Sequence, residues 1–138
     1  MLSGIYRVLF PVPVVCFVGA LVTDIAYAST AYLMWLHFSE WLIAAGLAVG
    51  ALAALALLIG FIVSRAMRAS TGVWHLVLFY AALVVEVFNA LVHTIDGWTA
   101  VVPMGLILSI VGTILALASV RACFRVPVVA VERREAWR

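Results

Sequence analysis

Four long apolar runs occupy most of the chain, at residues 8–28, 41–63, 73–93 and 102–120. As helices, each is long enough to cross the roughly 30 Å hydrocarbon core of a bilayer. Inside lipid every backbone polar group must be satisfied within the segment, and a run of this length does so as a helix. Composition agrees: of 138 residues, 68% are hydrophobic and 10% charged, against about half and about a quarter in a soluble domain. A water-soluble fold of this size cannot hide that much apolar surface. The expected fold is an all-α integral membrane protein, an up-down bundle of four transmembrane helices over residues 1–120. A charged tail at 121–138 follows. The net charge is only +2 and the basic residues are not clustered, so no nucleic-acid partner is expected.

Local signals place the boundaries. Pro11 and Pro13 suit the first turn of the first helix and Pro103 that of the fourth. Asp96-Gly97 marks a turn, and Ser70 and Thr71 are candidate caps for the third helix. Residues 29–38 are apolar and aromatic, as expected of a short segment lying along the membrane surface. Trp35, Trp41, Trp74 and Trp98 sit near the expected helix ends, where amphipathic rings prefer the interface. Residues 1–28 have the outline of a signal peptide, with Ala26-Tyr27-Ala28 as a cleavage site. Asp24 and the apolar residues beyond that site favour a retained helix instead. Cys16 and Cys123 belong to different depths, so no disulfide between them is expected.

Arginine sets the orientation, because the chain has no lysine. Arg7 precedes the first helix, Arg65 and Arg68 separate the second from the third, and Arg121, Arg125, Arg133, Arg134 and Arg138 follow the fourth. The positive-inside rule then places both termini and the loop between the second and third helices on the cytoplasmic side. Helix packing is expected at Gly46, Gly50, Gly105 and Gly112, which recur in a three/four rhythm with Ala and Ser. Small residues let backbones approach where lipid supplies no hydrophobic drive. The same spacing also fits contact between copies of the chain in a homo-oligomer.

The third run carries the polar side chains. At about 100° per residue, Glu86, Asn89 and His93 fall within roughly 40° of His75, forming one stripe with Asp96 just beyond. Asp24 adds a second intramembrane acid, and Ser109 and Thr113 offer hydroxyls. Buried ionisable groups are costly and face a bundle interior or a cavity. Three readings stay open. The stripe is a polar seam that fixes helix register, a site for haem b or a quinone, or a route for protons or ions. His93 is the leading candidate for a cofactor ligand, since neighbouring Asp24, Asn89 or Asp96 could orient its ring. His75, beside Trp74, is second and has the position of an interfacial histidine. His37 belongs to the outer loop near Glu40. No serine-nucleophile motif, phosphate loop, metalloprotease helix or metal-ligand spacing is present.

Three blocks resemble the bacterial membrane-protein family called domain of unknown function 2231. They are Cys16-Phe17-Val18-Gly19-Ala20-Leu21-Val22-Thr23-Asp24-Ile25-Ala26-Tyr27; Phe38-Ser39-Glu40-Trp41-Leu42 with the Gly/Ala-rich run after it; and Asp96-Gly97-Trp98-Thr99-Ala100-Val101-Val102-Pro103-Met104-Gly105-Leu106-Ile107-Leu108-Ser109. The resemblance covers residues 8–118. It departs from the family at Tyr6-Arg7-Val8-Leu9-Phe10-Pro11, where many members have a His-Pro pair, and at Ala118-Ser119-Val120-Arg121, where many have a Gly-rich turn. The resemblance implies redox work at the membrane, beside a periplasmic dehydrogenase or a cytochrome. The leading expectation is therefore an accessory membrane subunit of a larger respiratory or photosynthetic complex, anchoring it or relaying electrons. A stand-alone small transporter or proton-conducting protein and a purely structural scaffold are the alternatives. With almost no extramembrane mass, catalysis by the chain alone is not expected.

Overall fold

The computed structural model describes residues 2–95 and 101–124. All regular structure among them is helical: α1 (Leu2–Leu9), α2 (Pro11–Thr30), α3 (Leu33–Val63), α4 (Arg65–Ser70), α5 (Val73–Thr94) and α6 (Leu106–Phe124). A π-type turn at Val101–Gly105, extended at Val102, leads into α6. Four stretches are long and apolar enough to cross a membrane: Gly4–Thr30, Leu33–Val63, Val73–Thr94 and Val101–Cys123. The expected Asp96-Gly97 turn, Trp98 and the tail beyond Phe124 lie outside the described residues.

The spans close into a ring. α2 packs along α3, α3 along α5, α5 along α6, and α6 back along α2, which leaves α2 and α5 facing each other across a diagonal. The interior combines an aromatic and aliphatic core with buried polar side chains. Phe17, Leu57, Phe79, Ala82 and Ala116 belong to the first group, and Asp24, Ser39, His75, Glu86, Asn89, His93 and Ser109 to the second. The outside carries Val15, Trp41, Ile62, Val63, Trp74 and Ile114. Buried polar groups under an apolar surface reverse the usual pattern of a soluble protein and suit a hydrocarbon solvent.

Close helix contact is visible at the glycines. A Cβ on Gly46 would lie 2.7 Å from Phe17 Cε1 and 2.9 Å from Cys16 Cβ, and one on Gly50 would lie 2.6 Å from Leu83 Cδ2. At Gly105 a Cβ would meet His93 Cε1 at 3.0 Å. The contacts are between helices of one chain, the geometry that small residues permit in membranes.

Four local expectations need correction. The first span does not start at the prolines: α1 precedes them, and Phe10 keeps helical angles (φ −57°, ψ −39°). Pro11 stands at the start of α2, where a missing N–H removes little. Residues 29–38 are not a surface-lying segment. Ala31 caps α2 in the left-handed region at φ 56°, and α3 begins two residues later. With no Gly or Pro between Leu33 and Trp41 nothing stops the helix, and its 31 residues extend about 46 Å, beyond the hydrocarbon thickness. His37 therefore sits on a helix, exposed, with Nδ1 3.2 Å from Glu40 Oε2. Finally, α5 is capped by Gly72 without a side-chain bond. Thr71 ends α4 instead, and Ser64 caps that helix by accepting from the Met67 N–H at 3.3 Å.

Candidate functional site

The stripe on α5 points into the ring along its whole length. His75, Phe79, Ala82, Glu86, Asn89 and His93 are its buried residues, in the three/four rhythm of one helix face. The polar members form two separate groups, one at each end, with Phe79 and Ala82 between them. Asp96 lies outside the described residues.

At the Asp24 end a single carboxylate ties all four spans. Asp24, fully buried on α2, accepts from Ser39 of α3 through Oδ1 and from Ser109 of α6 through Oδ2. His93 of α5 approaches Oδ1 with Nε2 at 3.0 Å. Asn89 donates to Ser109 Oγ at 2.8 Å and to Glu86 Oε2 at 3.0 Å. Because Ser109 accepts from Asn89, its own proton goes to Asp24. The Asp24–His93 pair crosses the diagonal of the ring, and both side chains are wholly buried. Buried ion pairs stand only where further hydrogen bonds complete the partners, and the two serines do this for Asp24.

The ring nitrogens of His93 are both engaged. Nδ1 lies 2.9 Å from the Asn89 carbonyl, which can only accept, so Nδ1 carries a proton. One further proton lies between Nε2 and Asp24 Oδ1. Whichever atom holds it, no ring lone pair faces open space. An axial haem ligand needs such a lone pair, so His93 as placed does not fit haem b.

His75 faces the interior of the ring. It is buried at the opposite end, with Nδ1 donating to the Ser119 carbonyl at 2.8 Å and Nε2 accepting from the Tyr6 hydroxyl. The backbone acceptor selects the tautomer, and the neutral ring satisfies both partners. Phe10 and Phe79 enclose it, with ring centroids 5.0 Å and 6.3 Å away. This histidine also offers no nitrogen to a haem iron. Among the described residues no cluster of three or more His, Cys, Asp or Glu side chains is arranged to hold a metal ion.

Glu86 is held differently from Asp24. Its Oε2 accepts from Asn89, but Oε1 and the Asn89 Oδ1 are buried without a hydrogen-bond partner among the described residues. Oε1 rests against Gly112 of α6, where any Cβ would collide with it. Gly112 thus gives room to a carboxyl group as well as to a neighbouring backbone.

Ser39, Tyr6 and Ser119 were not among the residues the sequence singled out. Ser39 lay between the stretch read as a surface segment and the expected start of the second span at Trp41, and Tyr6 lay before the expected start of the first span. Ser119 contributes a backbone carbonyl, which no side-chain pattern announces. A polar residue in register with Asp24 across a tight two-residue turn is the signal that could have found Ser39.

No curated protein and no solved structure matches the chain. The family described as "Predicted membrane protein (DUF2231)" matches residues 5–123, from α1 through the last turn of α6. That stretch holds both polar groups and all four spans, and the chain belongs to the DUF2231 family of predicted membrane proteins.

Proposed function

We propose that the chain is a non-catalytic anchoring subunit, a rigid four-helix module that holds a larger redox assembly in the bacterial inner membrane. The observation that carries this reading is the Asp24 hub: one carboxylate bonded to Ser39, His93 and Ser109 uses its polar capacity to lock α2, α3, α5 and α6 together. Polar groups spent in this way are not free for a ligand. The outside, lined by Trp41, Trp74, Val63 and Ile114, offers apolar surface to lipid and to membrane partners. The redox context comes from the family resemblance, and a periplasmic dehydrogenase or cytochrome is the partner it suggests.

In this reading both termini and α4 face the cytoplasm, because Arg7, Arg65, Arg68 and Arg121 lie at one end of the spans. Cys123, exposed at that end, is a native reporter. It should be protected from an impermeant thiol reagent in intact cells. A cysteine at Thr30, in a chain with Cys16→Ala and Cys123→Ser, should react. The reverse pattern overturns the orientation.

The function is tested in two steps. The protein is purified in mild detergent, its partner identified, and the partner's location followed in a strain lacking this chain. Anchoring requires the partner to leave the membrane fraction. A partner that stays behind, or a b-type band in the reduced-minus-oxidised spectrum of the pure chain that His93→Ala abolishes, would replace this reading with electron relay.

A further inference from the structure

Two carboxyl groups lie inside the ring, and their surroundings differ in one respect that matters chemically. Asp24 meets three hydrogen-bond partners, from α3, α5 and α6. Glu86 meets one, the Asn89 amide, and its second oxygen has none among the described residues. An ionised carboxylate with a bare oxygen in an apolar interior is costly, whereas a neutral acid turns that oxygen into a donor. The Asn89 Oδ1, also bare and attached to the same amide that bonds Glu86, is an acceptor waiting for a donor.

The paths away from Glu86 are unequal. Towards the His93 end lie Asn89, Ser109, Ser39, Asp24 and His93, a polar path on which the Asn89 Oδ1 is open to an entering water. Towards the His75 end lie Ala82, Phe79, Leu57, Ala53 and Ala116, which cannot. His75 and Glu86 are eleven positions apart on α5, about 16 Å of helix. Among the described residues, the charged groups that act on Glu86 are Asp24 from α2 and His93 from α5. Among the described residues, α3 and α6 bring the hydroxyls of Ser39, Ser109 and Thr113 to this region.

We propose that Glu86 is a proton-binding site inside the membrane, loaded and emptied from the His93 end. The ligand is a single proton, bound on Oε1 in the hollow left by Gly112. Release sends it to a water hydrogen-bonded at the Asn89 Oδ1, which leaves as hydronium and restores the carboxylate. The apolar plug at Phe79 and Ala82 closes the other direction, so the site stores a proton on one side and does not conduct.

The test uses the purified chain in nanodiscs and infrared hydrogen–deuterium exchange, so it is independent of any partner. Wild type at neutral pH should show the carbonyl stretch of a protonated carboxylic acid, shifted in D₂O. Glu86→Gln, nearly isosteric, should lack it. Asn89→Leu, or Ser109→Ala should the first variant fail to fold, should slow the exchange about tenfold, the scale of losing one hydrogen bond on the path. Tyr6→Phe and His75→Phe should leave the rate unchanged. A spectrum in which Glu86→Gln removes no acid band overturns the site. Exchange indifferent to Asn89 and Ser109, or slowed by the changes at Tyr6 and His75, overturns the direction of access.

Discussion

The two buried histidines of α5 share one helix face and about 27 Å of axis separates them, yet they are held by different chemistry. His93 meets a carboxylate, and its pair with Asp24 spans the diagonal of the bundle. His75 meets a phenol and a backbone carbonyl inside a cage of aromatic rings. The first arrangement sets an acid beside a base inside the bundle and completes the acid with hydroxyls from two more helices. The second needs no charge. The partner, not the residue type or its position on the stripe, decides what a buried histidine contributes.

The largest expected effect separates the two ends directly. Asp24→Ala leaves His93, Ser39 and Ser109 without their common acceptor. Removing one member of a buried pair costs about 3–5 kcal/mol. Unfolding in a denaturing detergent should show a loss of that size, and Asp24→Asn a smaller one. A loss below that of Tyr6→Phe would mean the hub carries no special load, and the contrast between the ends would fall.

A second experiment asks whether the hub is there for stability at all. Replacing both members by apolar residues, Asp24→Leu with His93→Leu, removes the pair without stranding a charge. Such replacements are often close to neutral. Ser39 already lies 3.1 Å from the Ala20 carbonyl and can turn fully to it. The double variant should therefore be clearly more stable than Asp24→Ala. If it is as unstable as the single change, the serines and the cross-bundle geometry matter more than the charge balance.

How far these ends were legible from the residues alone follows the same division. The spans could be read because long apolar runs admit few folds, and the stripe because Glu86, Asn89 and His93 recur at the helical period. Asp24 and Ser109 carry polar side chains in otherwise apolar runs and draw the eye. The start of α3 could not be read, since no breaker marks Leu33, and Ser39 was lost with it. The setting of His75 was hidden for another reason. Its acceptor is the Ser119 main chain, and Tyr6 joins it only because α1 continues the first span beyond the prolines. Side-chain patterns report the Asp24 end of the stripe better than the His75 end.

At the His75 end a single hydrogen bond is at stake. Tyr6→Phe keeps the ring among Phe10, His75 and Phe79 and removes only the hydroxyl. The loss should be about 1–3 kcal/mol, the cost of leaving one buried acceptor unsatisfied. His75→Phe, which removes the acceptor as well, should cost less than its burial suggests if the Ser119 carbonyl finds another donor. A loss at Tyr6 equal to that at Asp24 would erase the distinction drawn between the ends.

The smallest effect tests the backbone beside the Asp24 end. α2 and α3 are joined through Ala31 and Tyr32 alone, and Ala31 sits at φ 56°, a conformation that a Cβ disfavours. Its N–H still caps α2 by bonding the Tyr27 carbonyl at 2.8 Å. Glycine is the usual residue at such a cap. Ala31→Gly should relieve the crowding and stabilise the chain by up to about 1 kcal/mol, after the extra freedom glycine has when unfolded is subtracted. Ser39 of α3 bonds Asp24 of α2 about two helical turns inside it, and that bond is expected to help hold the turn in its strained form. In an Asp24→Ala background that restraint is gone and the turn can relax with alanine in place. The gain from Ala31→Gly should then shrink. An equal gain in both backgrounds would show that the turn is set by its own two residues, and that the hub fastens the helices without holding the backbone that joins them.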